Sequence, residues 1–182
     1  MQGKLLLEDG AVFTGRFLGD GNAVGEVVFN TSMTGYQEIL TDPSYCRQIV
    51  VLTYPLVGNC GISPQFMQSR KPFLHGLVIG ELCEMPSNWQ AEESLSAFLL
   101  REKIPCLYDV DTRAVTRHIR SAGAMKGILI AEDAPPEEAE RLLPPPLTAD
   151  VVAEVTTPEV YTLENDGPRV VVWDFGIKKN IL

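Results

Sequence analysis

The chain has 182 residues, which is enough for one domain or for one domain with part of another. Hydrophobic residues make up 45% of the sequence and charged residues 21%, a composition typical of a globular protein that folds without a metal or a disulfide. The net charge of −9 argues against nucleic acid and against an anionic membrane as partners, because both bind basic protein surfaces.

The hydropathy and cysteine patterns exclude further classes of protein. Only three leucines precede Glu8-Asp9-Gly10, so no secretory signal is predicted, and no apolar run reaches the roughly 18 residues of a membrane span. With two histidines and no Cys-x-x-Cys pair, the sequence has no zinc-ligand spacing. We expect a cytoplasmic protein with free thiols at its four cysteines, Cys46, Cys60, Cys83 and Cys106.

Short apolar runs predict a strand-rich first domain. Residues 4–7 and 11–17 are joined by a segment that contains Asp9-Gly10, a strong signal for a β-hairpin. Similar runs, several of them rich in β-branched residues, predict four more strands, at residues 25–29, 48–53, 74–79 and 127–131.

Apolar residues at helical spacing predict helices later in this domain. Residues 93–103 have this spacing, with acidic side chains near the start and basic ones near the end, as the helix dipole favours. Asp111 is a suitable N-cap for a helix over residues 112–120 that stops before Gly123. A short third helix is predicted at residues 134–143, directly before three prolines that end it.

The composition changes after about residue 144, and this change predicts a domain boundary. Residues 151–168 contain many polar and turn-forming residues, typical of a linker that follows a domain at 1–150. The apolar run at 169–176 then predicts a parallel-type strand buried on both faces, the beginning of a second domain at 169–182. Because a lone strand cannot bury both faces, we expect residues 169–182 to fold back onto the first domain or to mediate self-association.

Residues capable of catalysis are scarce. His118 lies on a predicted helix among arginines and is interpreted as an exposed helical side chain. Cys46 precedes Arg47, whose charge lowers the pKa of a nearby thiol, but sequence neighbours on a strand point to opposite faces. A catalytic Cys46 is therefore disfavoured, and Cys83 and Cys106 are interpreted as buried apolar side chains.

A polar loop at residues 28–45 differs from the rest of the chain. It places hydroxyl side chains, a glycine and amides between two predicted strands. Such a loop suits a small polar ligand, because it offers several donors and acceptors at close range. A structural connection whose hydroxyls cap turns explains the same residues equally well. Since no nucleophile, general base or metal cluster accompanies the loop, its residue chemistry indicates a polar binding surface without a catalytic centre.

The same loop resembles a known family. Residues 25–38 and 41–45, which include an Asp-Pro-Ser-Tyr motif, are similar to the carbamoyl phosphate synthetase small subunit. The similarity continues at residues 53–59 and 109–113. It ends in Asp-Phe-Gly-Ile-Lys-Lys-Asn-Ile-Leu at 174–182, which resembles that family's entry into its glutaminase domain. The matching segments follow in order over essentially the whole chain.

The resemblance implies the N-terminal domain of that small subunit, with a β-rich α/β fold of the three-layer β/β/α swivelling type. A flavodoxin-like class I amidotransferase domain would follow, carry a Cys-His-Glu triad and hydrolyse glutamine. The ammonia would reach a large subunit and react with bicarbonate and two ATP to give carbamoyl phosphate for arginine and pyrimidine biosynthesis. The implied partners are this large subunit, the chain's own amidotransferase domain and L-glutamine. No cofactor is implied in this domain, since ATP and magnesium are used by the large subunit.

One ligand contact is implied within this chain. The serine of the Asp-Pro-Ser-Tyr motif, Ser44, would contact the amino-acid head group of glutamine, for which a hydroxyl is both donor and acceptor. None of the four cysteines matches a catalytic position of the family, so the chain alone is expected to be inactive. Two other hypotheses stay open: a self-contained module that binds a small molecule or serves assembly, and a thiol enzyme built on Cys46.

Overall fold

The structure is a computed structural model that describes residues 1–132, 150–164 and 166–182. The strands within these residues are β1 (Gln2–Leu7), β2 (Val12–Leu18), β3 (Ala23–Asn30), β4 (Ile49–Leu52), β5 (Leu56–Val57), β6 (Gly76–Val78), β7 (Glu81–Leu82), β8 (Cys106–Tyr108) and β9 (Met125–Ala131). The helices are α1 (Tyr36–Leu40), α2 (Leu95–Arg101), α3 (Thr112–Ala122) and α4 (Val151–Val155), with short 3-10 helices at Pro43–Tyr45, Pro64–Phe66 and Lys179–Ile181. The helix predicted at residues 134–143 lies outside the described residues.

Seven of the strands form a closed barrel in the order β1-β2-β8-β6-β4-β3-β9. The predicted hairpin is confirmed: β1 and β2 pair antiparallel with Leu5 opposite Phe13, and Gly10 in the turn has a φ of 88°. β1 also pairs with β9, where Leu5 lies opposite Leu129, and this pairing closes the ring. The domain is therefore a strand-rich α/β fold, as predicted, and its main sheet is a barrel.

The strands β3, β4, β6 and β8 run parallel, and their central strand β4 is buried on both faces. Ile49 and Val51 of β4 belong to the core cluster that includes residues of α3. Val50 and Leu52 belong to the cluster that includes residues of α1 and α2. Full burial of one aliphatic side chain contributes roughly 1.5–3 kcal/mol to the stability of the folded state. The burial of β4 on both faces therefore stabilises the sheet from which its flanking loops extend.

N-caps determine where α2 and α3 begin. Ser94 Oγ accepts a hydrogen bond from the Ala97 N–H at 3.2 Å, and Asp111 Oδ1 accepts one from the Ala114 N–H at 2.9 Å. The predicted cap at Asp111 is therefore confirmed. The helix α2 is shorter than its predicted range by two residues at each end, because Ser94 is its N-cap and Glu102 its C-cap.

The segment predicted as a linker includes α4. Asp150 caps this helix by accepting a hydrogen bond from the Ala153 N–H at 3.1 Å. The buried side chain of Val155 packs with Cys46 and Phe73 of the first domain, so α4 is held on the barrel domain. None of the helices in the described part of the chain has the length and hydrophobicity to cross a membrane.

The strand predicted at residues 169–176 is not formed. These residues have no strand pairing, and the apolar side chains at 170–173 and at Phe175 are exposed. The barrel is closed and therefore offers no free edge to a further parallel strand. Residues 176–180 instead contact the first domain, so the expected fold-back is seen for this part of the tail but does not cover the apolar run that motivated it. Self-association stays a prediction.

Candidate functional site

Ser44 lies at the surface, in the short 3-10 helix Pro43–Tyr45 between α1 and β4. Asp42 caps this helix, and its Oδ1 accepts a hydrogen bond from the Ser44 N–H at 2.9 Å. Pro43 follows the cap at the position where a missing N–H has no cost. The Ser44 side chain is exposed, so its hydroxyl is presented to solvent by a loop whose backbone is fixed.

The tail of the chain meets this loop. Lys178 Nζ lies 3.2 Å from Asp42 Oδ2, so one carboxylate receives both the Ser44 N–H and the Lys178 ammonium. Gly176 has a φ of +103°, and a Cβ at this position would lie 2.7 Å from Val155 Cγ2 and 3.3 Å from Pro43 Cβ. Glycine is therefore required for the close approach of the tail to the Ser44 loop.

Asp174 shapes the turn that leads the tail into this contact. Its Oδ1 accepts hydrogen bonds from the N–H groups of Gly176 and Ile177 at 2.7 and 2.8 Å, and its Oδ2 accepts one from Thr157 at 3.2 Å. Partial burial raises the pKa of the Asp174 carboxyl, but these three hydrogen bonds, helped by the charge of Arg70, outweigh it. The pKa therefore lies below its usual value and the turn contains a carboxylate at neutral pH.

Gln68 connects the tail to Thr41, which lies shortly before Ser44 in the same loop. Its carbonyl accepts a hydrogen bond from the Lys179 N–H at 2.8 Å, and its Oε1 accepts one from Asn180 at 3.3 Å. The Gln68 N–H donates to Thr41 Oγ1 at 2.9 Å. Since Gln68 is buried, the tail is held on the loop by main-chain contacts as well as by the ion pair.

Cys46 is not placed for catalysis. Its buried thiol lies 3.6 Å from Glu154 Oε2, and Glu154 also forms an ion pair with Arg47. Burial raises the pKa of the Cys46 thiol, and the neighbouring carboxylate raises it further. The thiol is therefore kept protonated, which argues against the thiol-enzyme hypothesis.

The first part of the polar loop lines a separate cavity of about 260 Å³. Residues 32–39 form one wall, and Tyr54, Asn59, Cys60 and Phe66 lie among the residues opposite, whereas Ser44 is not part of the lining. Residues 32–39 of the loop therefore line the cavity, whereas Ser44 lies on a separate, exposed surface.

Several polar side chains of this loop are used to hold the fold. Tyr36 Oη donates to the Gly61 carbonyl at 2.6 Å, and burial raises the pKa of this hydroxyl. Thr41 Oγ1 donates to the Gln37 carbonyl at 2.8 Å. Gln37 is itself buried and hydrogen-bonded. The structural interpretation of the loop is therefore confirmed for these residues, whereas ligand binding at the exposed Ser44 stays a prediction.

The remaining candidate residues are separate from one another. His118 is half-buried, contrary to the prediction, because its Nε2 lies 2.6 Å from Asp9 Oδ2 and its ring packs edge-on against Phe13. Hydrogen bonds from the Ala11 N–H and from His118 lower the pKa of Asp9. His75 Nδ1 lies 2.9 Å from the Val24 carbonyl oxygen.

The cysteines are free, as predicted. Cys106 is fully buried, whereas Cys83 is only half-buried and its thiol lies 3.3 Å from the Met85 carbonyl oxygen. Cys60 is exposed. Within the described residues no group of three or more His, Cys, Asp or Glu side chains is arranged to hold a metal ion.

Sequence reasoning missed Asp42, Gln68 and Lys178 as neighbours of Ser44. A carboxylate directly before a proline is a common N-cap pattern, so the role of Asp42 in the turn had a local signal. By contrast, no local sequence pattern indicates the contact between Lys178 and Asp42, because the two residues are far apart in the chain.

Comparison with known proteins gives a consistent family match. The chain matches the family described as "Carbamoyl-phosphate synthase small chain, CPSase domain" over residues 5–129. It is 50% identical to the carbamoyl phosphate synthase pyrimidine-specific small chain of Halalkalibacterium halodurans, over 100% of this chain and 51% of that protein. The protein of the same name from Bacillus subtilis is 49% identical over 100% of this chain and 50% of its own length.

A more distant relative shows the same coverage. The carbamoyl phosphate synthase small chain of Syntrophotalea carbinolica is 46% identical, over 100% of this chain and 54% of that protein. The chain thus spans about half the length of the curated relatives it matches.

Proposed function

The chain belongs to the carbamoyl-phosphate synthase small chain family, and from this premise we propose that it is the N-terminal domain of a glutamine-hydrolysing small subunit. The proposal rests on a match that covers the whole chain but only about half of each relative. The chemistry of glutamine hydrolysis then belongs to the half that follows. The 182 residues alone are inactive in this proposal, because burial and the neighbouring Glu154 carboxylate raise the pKa of Cys46 and keep its thiol protonated.

In the whole protein, the following amidotransferase domain uses a Cys-His-Glu triad to release glutamate and ammonia from L-glutamine. The ammonia passes to the large subunit, which forms carbamoyl phosphate from it with bicarbonate and two ATP, for arginine and pyrimidine biosynthesis. ATP and magnesium act in the large subunit, so this domain needs no cofactor. The free cysteines agree with a reducing cytoplasmic environment.

Ser44 is the residue of this domain that we assign to glutamine binding. The observation that carries the assignment is the contact between the Ser44 loop and residues 174–180, which resemble the family's entry into the amidotransferase domain. That contact supports a position for Ser44 at the boundary between the two domains. There its exposed hydroxyl can donate to the α-carboxylate of glutamine or accept from the α-ammonium group.

The domain organisation follows the same proposal. Residues 1–150 form the N-terminal domain, 151–168 the linker and 169–182 the beginning of the flavodoxin-like amidotransferase domain. One face of β4 packs in a cluster with residues of the strands β1 and β9, and its other face packs in a cluster with residues of the helices α1 and α2, which supports a layered fold of the β/β/α swivelling type. The run at residues 169–176 gains its sheet neighbours only from the domain that follows.

The 260 Å³ cavity favours a second candidate function, a self-contained module that binds a small molecule. The two candidates differ in what the gene encodes after Leu182. A Gly-x-Cys-x-Gly segment downstream supports the amidotransferase. A stop codon shortly after this position supports the module.

The test of the proposed function is Ser44→Ala in the full-length small subunit with its large subunit. Loss of one hydrogen bond to a charged group costs about 1.5–3 kcal/mol, so the affinity for glutamine should fall roughly 10- to 150-fold. Synthesis from added ammonia should be unchanged, because ammonia bypasses the glutamine site.

Ser121→Ala, at the exposed last turn of α3, is the matched control and should leave both activities unchanged. Equal loss of glutamine-dependent and ammonia-dependent synthesis in Ser44→Ala would show that Ser44 is structural.

A further inference from the structure

We propose that Asp42 is a positioning residue for Ser44, and that its ion pair with Lys178 couples the glutamine-binding turn to the docking of the following domain. This inference rests on the proposed function, since it assumes that Ser44 contacts glutamine. It assigns a positioning role to Asp42 and Lys178, two residues that do not themselves contact glutamine in the proposed function.

The two carboxylate oxygens of Asp42 have different partners. Oδ1 accepts the Ser44 N–H at 2.9 Å, and Oδ2 lies 3.2 Å from Lys178 Nζ. The Asp42 side chain is only 12% exposed, so water competes weakly for either oxygen. Because the carboxylate is planar, the direction fixed by Lys178 also fixes the oxygen that holds the Ser44 backbone.

Lys178 belongs to a segment with several fixed points on the first domain. Gly176 packs against Val155 and Pro43, and the Lys179 N–H donates to the Gln68 carbonyl. The ammonium of Lys178 is therefore delivered to Asp42 by a docked main chain and not by a free tail. Movement of this segment, which leads into the catalytic half in the proposed protein, reaches the Ser44 N–H through the Asp42 carboxylate, beside the packing of Gly176 on Pro43.

A purely local role for Asp42 predicts a different result. If Asp42 only caps the 3-10 helix, a change at Lys178 has no effect on glutamine use, and Asn at position 42 replaces Asp because its Oδ1 still accepts the Ser44 N–H. If Asp42 couples the two segments, Asp42→Asn and Lys178→Met both weaken glutamine binding, because each removes the ion pair.

The experiment uses the full-length small subunit with its large subunit and compares Asp42→Asn, Lys178→Met and the double variant. Each single change should raise the KM for glutamine about 3- to 10-fold, the effect of one polar interaction of ordinary net strength. The double variant should be no worse than either single one, because both remove the same interaction. Lys178→Arg, which keeps the charge, should retain most of the affinity.

Controls separate this role from general damage to the fold. Lys179→Met removes a neighbouring exposed charge and should leave the KM unchanged. Ammonia-dependent synthesis and the Tm should stay at wild-type values in all of these variants. The proposal is overturned if Lys178→Met behaves like Lys179→Met, or if the effects of the two single changes add in the double variant.

The outcome of Ser44→Ala distinguishes a failure of the Asp42–Lys178 coupling from a failure of the Ser44 assignment. A loss of glutamine use in Ser44→Ala with no effect of Lys178→Met contradicts the coupling alone. An unchanged KM in Ser44→Ala contradicts the assignment of Ser44 to glutamine binding, on which the coupling rests.

Discussion

Gln37 and Ser63 exchange two hydrogen bonds between α1 and the segment that faces it. Gln37 Nε2 donates to the Ser63 carbonyl at 2.6 Å, and the Ser63 N–H donates to Gln37 Oε1 at 2.9 Å. Both residues are buried, and the amide of Gln37 supplies the partner of the Ser63 N–H, whereas the Ser63 carbonyl also accepts a hydrogen bond from the Phe66 N–H. This pair fixes α1, the part of the polar loop that directly precedes the 3-10 helix containing Ser44.

Gln37→Ala should therefore destabilise the domain more than an ordinary surface substitution. The Ser63 N–H would be left buried without a partner, at about 1–3 kcal/mol, whereas the Ser63 carbonyl would keep the hydrogen bond from the Phe66 N–H. Urea unfolding followed by circular dichroism measures the loss, with the exposed Gln65→Ala as the matched control. A change below about 0.5 kcal/mol for Gln37→Ala, the range of surface substitutions, would mean that water replaces the amide without cost.

The four thiols should react with an alkylating reagent at clearly different rates. Cys60 is exposed and should react first, with Cys83 more slowly because it is half-buried. Cys46 and Cys106 should react only when the structure opens, because burial hinders access and raises the pKa of each thiol.

Mass spectrometry of labelled peptides over time measures this order, and Cys60→Ser should remove the fastest phase. Labelling of Cys46 as fast as Cys60 in the folded protein would show that α4 does not cover Cys46 in solution.

Docking of the tail should depend on pH through Asp174. Its pKa is lower in the folded chain than in the unfolded chain, so its contribution to stability is fully present above the unfolded pKa of about 3.9. That contribution is lost as the pH falls through the lower folded pKa. The tail contacts should therefore persist from neutral pH down to about pH 4 and weaken below it.

Carboxyl carbon chemical shifts of Asp174 measure this directly, with the same residue in urea as the reference. Asp174→Asn should weaken the tail contact at neutral pH, as seen in faster exchange of the Gly176 and Ile177 amides. An equal pKa in folded and unfolded chains would show that the turn around Asp174 is not formed in solution.

Local signals in the sequence predicted the local structure well. Asp9-Gly10 marked the hairpin of β1 and β2, and Asp111 marked the start of α3, because turns and caps depend on a few neighbouring residues. The order of strands in the barrel had no such signal. The pairing of β1 with β9 joins residues far apart in the chain, which periodicity cannot detect.

At the candidate site too, the sequence indicated individual residues but not the contacts between distant ones. Ser44 was assigned by resemblance, and its exposure in a capped turn fits that assignment without testing it. The contacts of Asp42 with Lys178 depend on the fold and could not be read from the sequence. The strand predicted at residues 169–176 was wrong, because the closed barrel offers its apolar run no edge to pair with and the run stays exposed.

The closed barrel also determines when this domain can finish folding during synthesis. Within the barrel, β1 is the first strand in chain order and pairs with β9, the last of the seven, so the ring cannot close before residue 131 has left the ribosome. Until then β1 and β3 each carry an edge whose final partner has not been translated. Unpaired strand edges of this kind can pair wrongly, so the barrel is protected from such pairing only once β9 has been made.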